Sequence, residues 1–133
     1  YFKQHSWPYY ILKAAGIYNI LWGTLVILMP NFFFELFGMA LPSYPSIWQC
    51  VGMIVGVYGI GYWIAGNNPT QHWVIILVGF LGKIFGPIGF IGQLISGTYP
   101  LKFASLIVTN DLIWWVPFSV ILLTVYKEST HDS

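Results

Sequence analysis

Apolar residues run in four long blocks along this chain, and short polar or proline-containing connections separate the blocks. Each block has close to the roughly 20 residues that an α-helix needs to cross the hydrocarbon core of a bilayer. The pattern therefore predicts an all-α fold, a single transmembrane bundle of four helices. We place the spans at about residues 11–29, 46–65, 72–96 and 103–126.

The connection between the first two spans, residues 31–45, is the longest of the three. Its segment FFFELFGM is too short to cross a bilayer, and its aromatic residues with the carboxylate Glu35 are typical of a segment lying in the membrane interface. Pro30 ends the first span. Lys13 lies near the start of that span, so we expect its side chain to extend back to the lipid headgroups.

Small residues recur at helical spacing on both the second and the third span. In each span they follow one another at steps of three and four residues, which places them on one face of a helix and permits close backbone approach. Because a short polar turn joins the two spans, we predict that these faces pack against each other as an antiparallel hairpin, with a kink at Pro87. The residues of the two stripes are Gly52, Gly56 and Gly59 on the second span, and Gly79, Gly82, Gly86 and Gly89 on the third.

Composition supports a membrane protein and excludes several functions. The chain is 57% hydrophobic and only 7% charged, whereas soluble domains are about 25% charged. It contains no arginine and no basic patch, which argues against nucleic acid as a partner. The single cysteine, Cys50, rules out an internal disulfide and a thiolate zinc site. No catalytic, metal-binding or cofactor motif is present, so an enzyme is not favoured, and a bound lipid, quinone or pigment stays open.

The distribution of lysines predicts the orientation of the bundle. An even number of spans puts both termini on one side, together with Lys3, Lys13 and Lys127, against Lys102 on the other side. The positive-inside rule then places the termini in the cytoplasm. The chain begins at Tyr1 rather than at Met, so we expect the natural start to be missing or processed, and the first apolar run is too long for a signal peptide.

Two charged residues fall deep within the spans, Lys83 near the middle of the third and Asp111 in the fourth. Antiparallel pairing sets Asp111 level with Gly89, about six residues or roughly 9 Å along the axis from Lys83. Charges inside a membrane are costly and point to function by default, here a proton-linked or ligand-binding pair. The alternatives are a structural ion pair that locks two helices and a lysine that is held in its neutral form.

Further polar side chains in the spans extend this candidate site. They form one polar pocket that opens on the side opposite the termini, or they make separate hydrogen bonds between helices, worth about 0.6–2 kcal/mol each. The polar site comprises Lys83, Asp111, Asn110, Gln49, Gln93 and Asn19, with Thr109 beside them.

Three tryptophans near the same end, continued by two tyrosines on one face of the second span, form a second candidate group. Trp114 and Trp115 lie too deep in the fourth span for simple interfacial anchors. The group predicts an aromatic pocket for a flat or acyl ligand, with anchoring and packing as the alternatives. Its members are Trp48, Trp114, Trp115, Tyr58 and Tyr62.

Four stretches resemble a family of small four-span bacterial membrane proteins, broadly similar in architecture to DoxX-type proteins. They are YNILWG (18–23), WQCVGMIVGVYGIGY (48–62), LVGFLGKIFGPIGF (77–90) and TNDLIWWVPF (109–118). The resemblance implies a bacterial inner-membrane location. Some members carry a hydroperoxide-reductase label, but that chemistry needs a reactive and usually a resolving cysteine, and this chain has only Cys50.

Three functional hypotheses follow. The first is an accessory or structural subunit of a larger membrane complex, because the chain is small and has short loops, packing glycines and no catalytic motif. The second is a proton or small-solute carrier or channel built on Lys83 and Asp111. The third is a redox protein that binds a quinone or lipid. Expected partners are membrane lipids, together with other membrane-protein subunits or further copies of the chain.

Overall fold

The structure, a computed structural model, describes residues 1–131. Within these residues the chain is helical and contains no β-strand, and four helical spans are long and apolar enough to cross a membrane. The prediction of an all-α, four-helix architecture is confirmed, and the four spans indicate an integral membrane protein. The spans are Trp7–Leu28, Pro45–Ala65, Trp73–Ile95 and Leu101–Thr130.

The first three spans are single helices, and the fourth is composite. Pro8 and Pro45 lie in the first two positions of their helices, where a missing backbone N–H costs no hydrogen bond. The helices are α1 (Trp7–Leu28), α2 (Phe32–Leu36), α3 (Pro45–Ala65) and α4 (Trp73–Ile95). The fourth span consists of a 3₁₀ turn (Leu101–Phe103), α5 (Ala104–Ile107), a π turn (Val108–Leu112) and α6 (Ile113–His131).

Helices α1 and α3 pack at close range along four glycines, Gly16 and Gly23 on α1 and Gly59 and Gly52 on α3. A Cβ atom built on Gly16 would lie 2.7 Å from the carbonyl oxygen of Gly59, and one built on Gly23 would overlap the carbonyl oxygen of Gly52. Only glycine therefore fits at these positions, as in other close helix pairs of membrane proteins. We call this contact the glycine seam.

The predicted face-to-face packing of the second and third spans is wrong. Helix α3 turns Gly52 and Gly59 toward α1, and Cβ atoms built on Gly82 and Gly89 of α4 would meet no atom within 4 Å. Helices α3 and α4 meet near their connecting turn instead, where the phenol ring of Tyr62 lies on Gly79. The physical reason is that a helix face lined with glycine makes close backbone contact with only one partner helix. Helix α1 carries a matching face at Gly16 and Gly23, which are seven residues apart and lie on the same side of the helix.

The short helix α2 lies between the first and second spans, as the sequence predicts, and packs onto the bundle through Phe33. The Phe33 ring stacks on Trp22 with 5.7 Å between ring centroids. Both residues belong to an apolar cluster that also contains Val26 and Leu106. A location of α2 in the membrane interface stays a prediction.

Lys13 is buried in the bundle, and the expectation that its side chain extends to the headgroups is wrong. Its Nζ atom donates a hydrogen bond of 2.6 Å to the carbonyl oxygen of Trp63 and lies 4.2 Å from the centroid of the Trp63 ring. The cause lies at the C-terminal end of α3. The N–H groups of Gly66 and Asn67 bond to Tyr62 and Ile64, which leaves the Trp63 carbonyl without a backbone donor. Lys13 satisfies that carbonyl.

Candidate intramembrane binding site

A cavity of about 380 Å³ lies between α1, α3, α4 and the fourth span. Its volume falls in the range of about 300–1,000 Å³ that is typical of small-molecule sites. Much of its α4 wall is formed by Gly79, Gly82 and Gly86, which carry no side chain to fill the space. Its polar lining consists of Asn19, Tyr58, Tyr62, Lys83, Asn110 and Asp111.

Lys83 projects from the middle of α4 and is only 5% exposed. Its Nζ atom donates a hydrogen bond of 2.7 Å to the backbone carbonyl oxygen of Asn110. The same atom lies 5.4 Å from the centroid of the Tyr62 ring and 5.8 Å from that of Trp114. Aromatic faces at this range attract a cation, so the ammonium group has favourable neighbours apart from any carboxylate.

The backbone of Lys83 is held in place by Pro87 and Trp115 together. Because Pro87 has no N–H, the carbonyl of Lys83, four residues earlier in α4, loses its helical donor. The indole Nε1 of Trp115 donates to that carbonyl at 2.8 Å. The proline thus creates an acceptor on α4, and the fourth span supplies the donor.

The π turn of the fourth span brings its polar residues toward α1 and α4. Its wide turn presents backbone carbonyls to side-chain donors: Asn110 accepts from Lys83, and Thr109 accepts from the indole N–H of Trp114 at 2.9 Å. The hydroxyl group of Tyr18 donates to the side-chain oxygen of Asn110 and lies 2.9 Å from Thr109 Oγ1. The turn is therefore fixed to α1 as well.

Asp111 lies beside the cavity but forms no ion pair with Lys83. The one ion pair within residues 1–131 joins the α-amino group of Tyr1 to Glu128 at 2.6 Å. A Cβ atom on Gly86 would lie 3.2 Å from Asp111 Oδ2, so the carboxylate is level with Gly86 rather than with Gly89. The predicted register was wrong because the fourth span begins at Leu101, two residues earlier than predicted.

Several polar groups of the cavity have no hydrogen-bond partner in the described part of the chain. The Asn19 amide and the Tyr62 hydroxyl border the cavity and form no hydrogen bond within residues 1–131. The indole N–H of Trp22, which also lines the cavity, is fully buried and has no partner among the described residues. The Asp111 carboxylate accepts no hydrogen bond from them either. Polar groups withdrawn from bulk solvent are nearly always paired, so this cluster around one cavity indicates that water or another polar group binds among them.

The cavity opens sideways, between α3 and α4. Val51 and Ile54 of α3 and Val78 of α4 line it, and these side chains are 38%, 50% and 43% exposed. They lie well inside spans that are long enough to cross the bilayer, so the surface to which they are exposed faces hydrocarbon. In a bundle that crosses a bilayer, such an opening leads to lipid.

The predicted site residues divide between the cavity and other places. Lys83, Asp111, Asn110 and Asn19 come together there, and so do Tyr58 and Tyr62 from the aromatic group. Gln49 donates to the carbonyl of Ile27 at 2.8 Å, and Gln93 is exposed near the end of α4. Trp48 packs against Trp22 and Phe34, whereas Trp114 belongs to the core.

Two residues of α1 belong to the site but were not predicted from the sequence. Trp22 lines the cavity, and Tyr18 holds the π turn. Their spacing with Asn19 on one helical face is a signal that could have found them.

Comparison of the chain with protein-family models, with curated proteins and with solved structures finds no match. The resemblance to DoxX-type proteins stays a prediction, and the functional proposal rests on the cavity.

Proposed function

We propose that this chain is a membrane protein that binds the polar end of a small lipid-soluble molecule in the cavity beside Lys83 and Asp111. The observation that carries the proposal is the set of unpaired polar groups around an open cavity at the middle of the spans. A charged residue at the centre of a membrane helix costs about 2.5–3.5 kcal/mol on insertion scales. A direct ion pair between Lys83 and Asp111 would offset part of that cost, and the fold does not form one.

A bound head group would supply the missing partners. Asp111 accepts no hydrogen bond in the described chain, and Lys83 uses one of its three donors. A ligand that bridges the two groups gains hydrogen bonds to charged partners, worth about 1.5–3 kcal/mol each. This favours the lipid-binding hypothesis over a purely structural pair of charges.

The other parts of the proposal rest on the sequence. We place the protein in a bacterial inner membrane with cytoplasmic termini, because the exposed Lys3 and Lys127 outnumber Lys102. Service as an accessory subunit of a larger complex is compatible with lipid binding and stays a prediction, as does a carrier function for Lys83 and Asp111.

Native purification with analysis of the bound small molecules tests the proposal. The full chain is purified in mild detergent, extracted with organic solvent and analysed by mass spectrometry. We expect one lipid-soluble species to be enriched over bulk membrane lipid in the wild-type protein. Lys83→Met should lower its amount about 10- to 100-fold, because a hydrogen bond to a charged group is lost.

Lys13→Met is the matched control, because Lys13 is also buried and also donates to a backbone carbonyl, yet does not line the cavity. We expect it to retain the ligand. A wild-type protein that is folded and empty contradicts the proposal, and so does equal retention by Lys83→Met. An empty protein that purifies with a large complex would favour the accessory-subunit hypothesis.

A further inference from the structure

We infer that the ligand is an uncharged lipid whose head group carries hydroxyl groups, such as a glycerol ester, and that it enters from the bilayer between α3 and α4. This inference rests on the proposed function and specifies the ligand class. Its basis is the charge, the hydrogen-bonding pattern and the opening of the cavity.

The charges of the cavity favour a neutral head group. Lys83 and Asp111 are the ionisable lysine and carboxylate that line it, and their formal charges sum to zero. A proton passed from one to the other leaves that sum unchanged. A carboxylate or phosphate head would be attracted by Lys83 and repelled by Asp111, and an amine would meet the reverse.

The hydrogen-bonding groups favour hydroxyls over carbonyls. Lys83 has two N–H groups left to donate, and ionised Asp111 only accepts. The amide of Asn19 and the hydroxyl of Tyr62 do both. A head group with only carbonyl or ester oxygens leaves Asp111 without a donor. A hydroxyl group donates to Asp111 and accepts from Lys83 or Asn19 at the same time.

The size and the opening of the cavity favour a lipid over a water-soluble polyol. A space of about 380 Å³ holds a head group and the first part of a chain. The apolar mouth formed by Val51, Ile54 and Val78 then lets an acyl chain continue into the bilayer without leaving hydrocarbon. The head group reaches Lys83 through the same opening.

A panel of probes with the same acyl chain tests the head group. The full-length protein is placed in phosphatidylcholine nanodiscs, and its affinity is measured for monooleoylglycerol, oleate, oleylamine and methyl oleate. We expect monooleoylglycerol to bind at least about tenfold more tightly than each of the other three, since at neutral pH its head group is uncharged and both donates to Asp111 and accepts from Lys83.

Two variants change the net charge of the cavity in opposite directions. Asp111→Asn leaves Lys83 uncompensated and should shift preference toward oleate by about tenfold. Lys83→Met leaves Asp111 uncompensated and should shift it toward oleylamine by a similar factor. A merely structural role for either residue predicts no such reversal. Lys13→Met should keep the wild-type order of the four probes.

The outcomes separate the inference from the proposed function. Tightest wild-type binding of oleate, oleylamine or methyl oleate overturns the inference and leaves lipid binding intact. Unchanged preference in both charge variants, each folded by circular dichroism, also overturns it. Failure of all four probes, together with an empty purified protein, overturns the inference and the proposed function alike.

Discussion

Two buried lysines lie in regions of opposite character. Lys13 and Lys83 are 7% and 5% exposed, and each donates to a backbone carbonyl on another helix, at 2.6 Å and 2.7 Å. Lys13 lies beside the glycine seam, where α1 and α3 leave no space between them. Lys83 lies in the cleft between α3 and α4, beside an open cavity and the carboxylate of Asp111, which accepts no hydrogen bond within the described chain.

The difference shows that burial of a lysine does not by itself indicate a functional site. Lys13 satisfies a carbonyl at the C-terminal end of α3, where a cation also opposes the helix dipole, so its burial has a complete structural reason. Lys83 also bonds a carbonyl, but Asp111, Asn19 and Tyr62 around it stay unpaired. The unpaired neighbours, rather than the lysine, distinguish the two regions.

The largest expected effect concerns the glycines of the two regions. Gly23→Ala places a methyl group against the carbonyl of Gly52, and backbone atoms cannot move aside cheaply, so we expect a loss of about 1–3 kcal/mol of stability. Gly82→Ala, on the α4 wall of the cavity, meets no atom within 4 Å and adds helix propensity, so it should be neutral or stabilise by up to about 1 kcal/mol.

Denaturation by SDS in mixed micelles measures the free energy of unfolding of both variants relative to the wild type. Because the chemical change is the same methyl group, each variant is the control for the other. Equal effects of the same sign would contradict the distinction between a closed seam and an open cleft.

The next effect concerns the link between Pro87 and Trp115. Trp115→Phe keeps most of the ring but removes the donor to the Lys83 carbonyl, and we expect a loss of about 1–2 kcal/mol. In a Pro87→Ala background the backbone regains its own N–H, so the same change should cost less than about 0.5 kcal/mol.

A double-mutant cycle, measured by SDS denaturation, gives the energetic coupling between Pro87 and Trp115. Trp73→Phe, at an exposed site at the start of α4, controls for the loss of an indole. A cost of Trp115→Phe that is the same in both backgrounds would show that the indole acts by packing alone.

The sequence predicts the four spans well because span length depends only on runs of apolar residues. It also marks Lys83, Asp111, Asn110 and Asn19 as polar groups in apolar surroundings. It does not determine the rotation of each helix about its axis, and the glycine stripe of α3 was therefore matched with α4 instead of α1.

Other features arise only from pairs of residues distant in the chain. The hydrogen bond from Trp115 to the Lys83 carbonyl that Pro87 frees joins residues 32 positions apart, on different helices. The π turn leaves no mark in the hydrophobic pattern, because its residues differ from an α-helix only in their hydrogen bonding.

The smallest expected effect is that of Lys13→Met. The change removes one hydrogen bond to Trp63 and one cation–π contact, but it also removes the cost of burying a charge. We therefore expect a net loss of about 1 kcal/mol in SDS denaturation, with no change in ligand retention. Lys102→Met, at an exposed position in the 3₁₀ turn, should leave both quantities unchanged and controls for the loss of positive charge. If Lys13→Met reduced ligand retention as strongly as Lys83→Met, the two lysines would be equivalent, and burial rather than the cavity would be the property that matters. If Lys13→Met retained the ligand and Lys83→Met lost it, the property that distinguishes the two lysines would be the cavity in the cleft between α3 and α4.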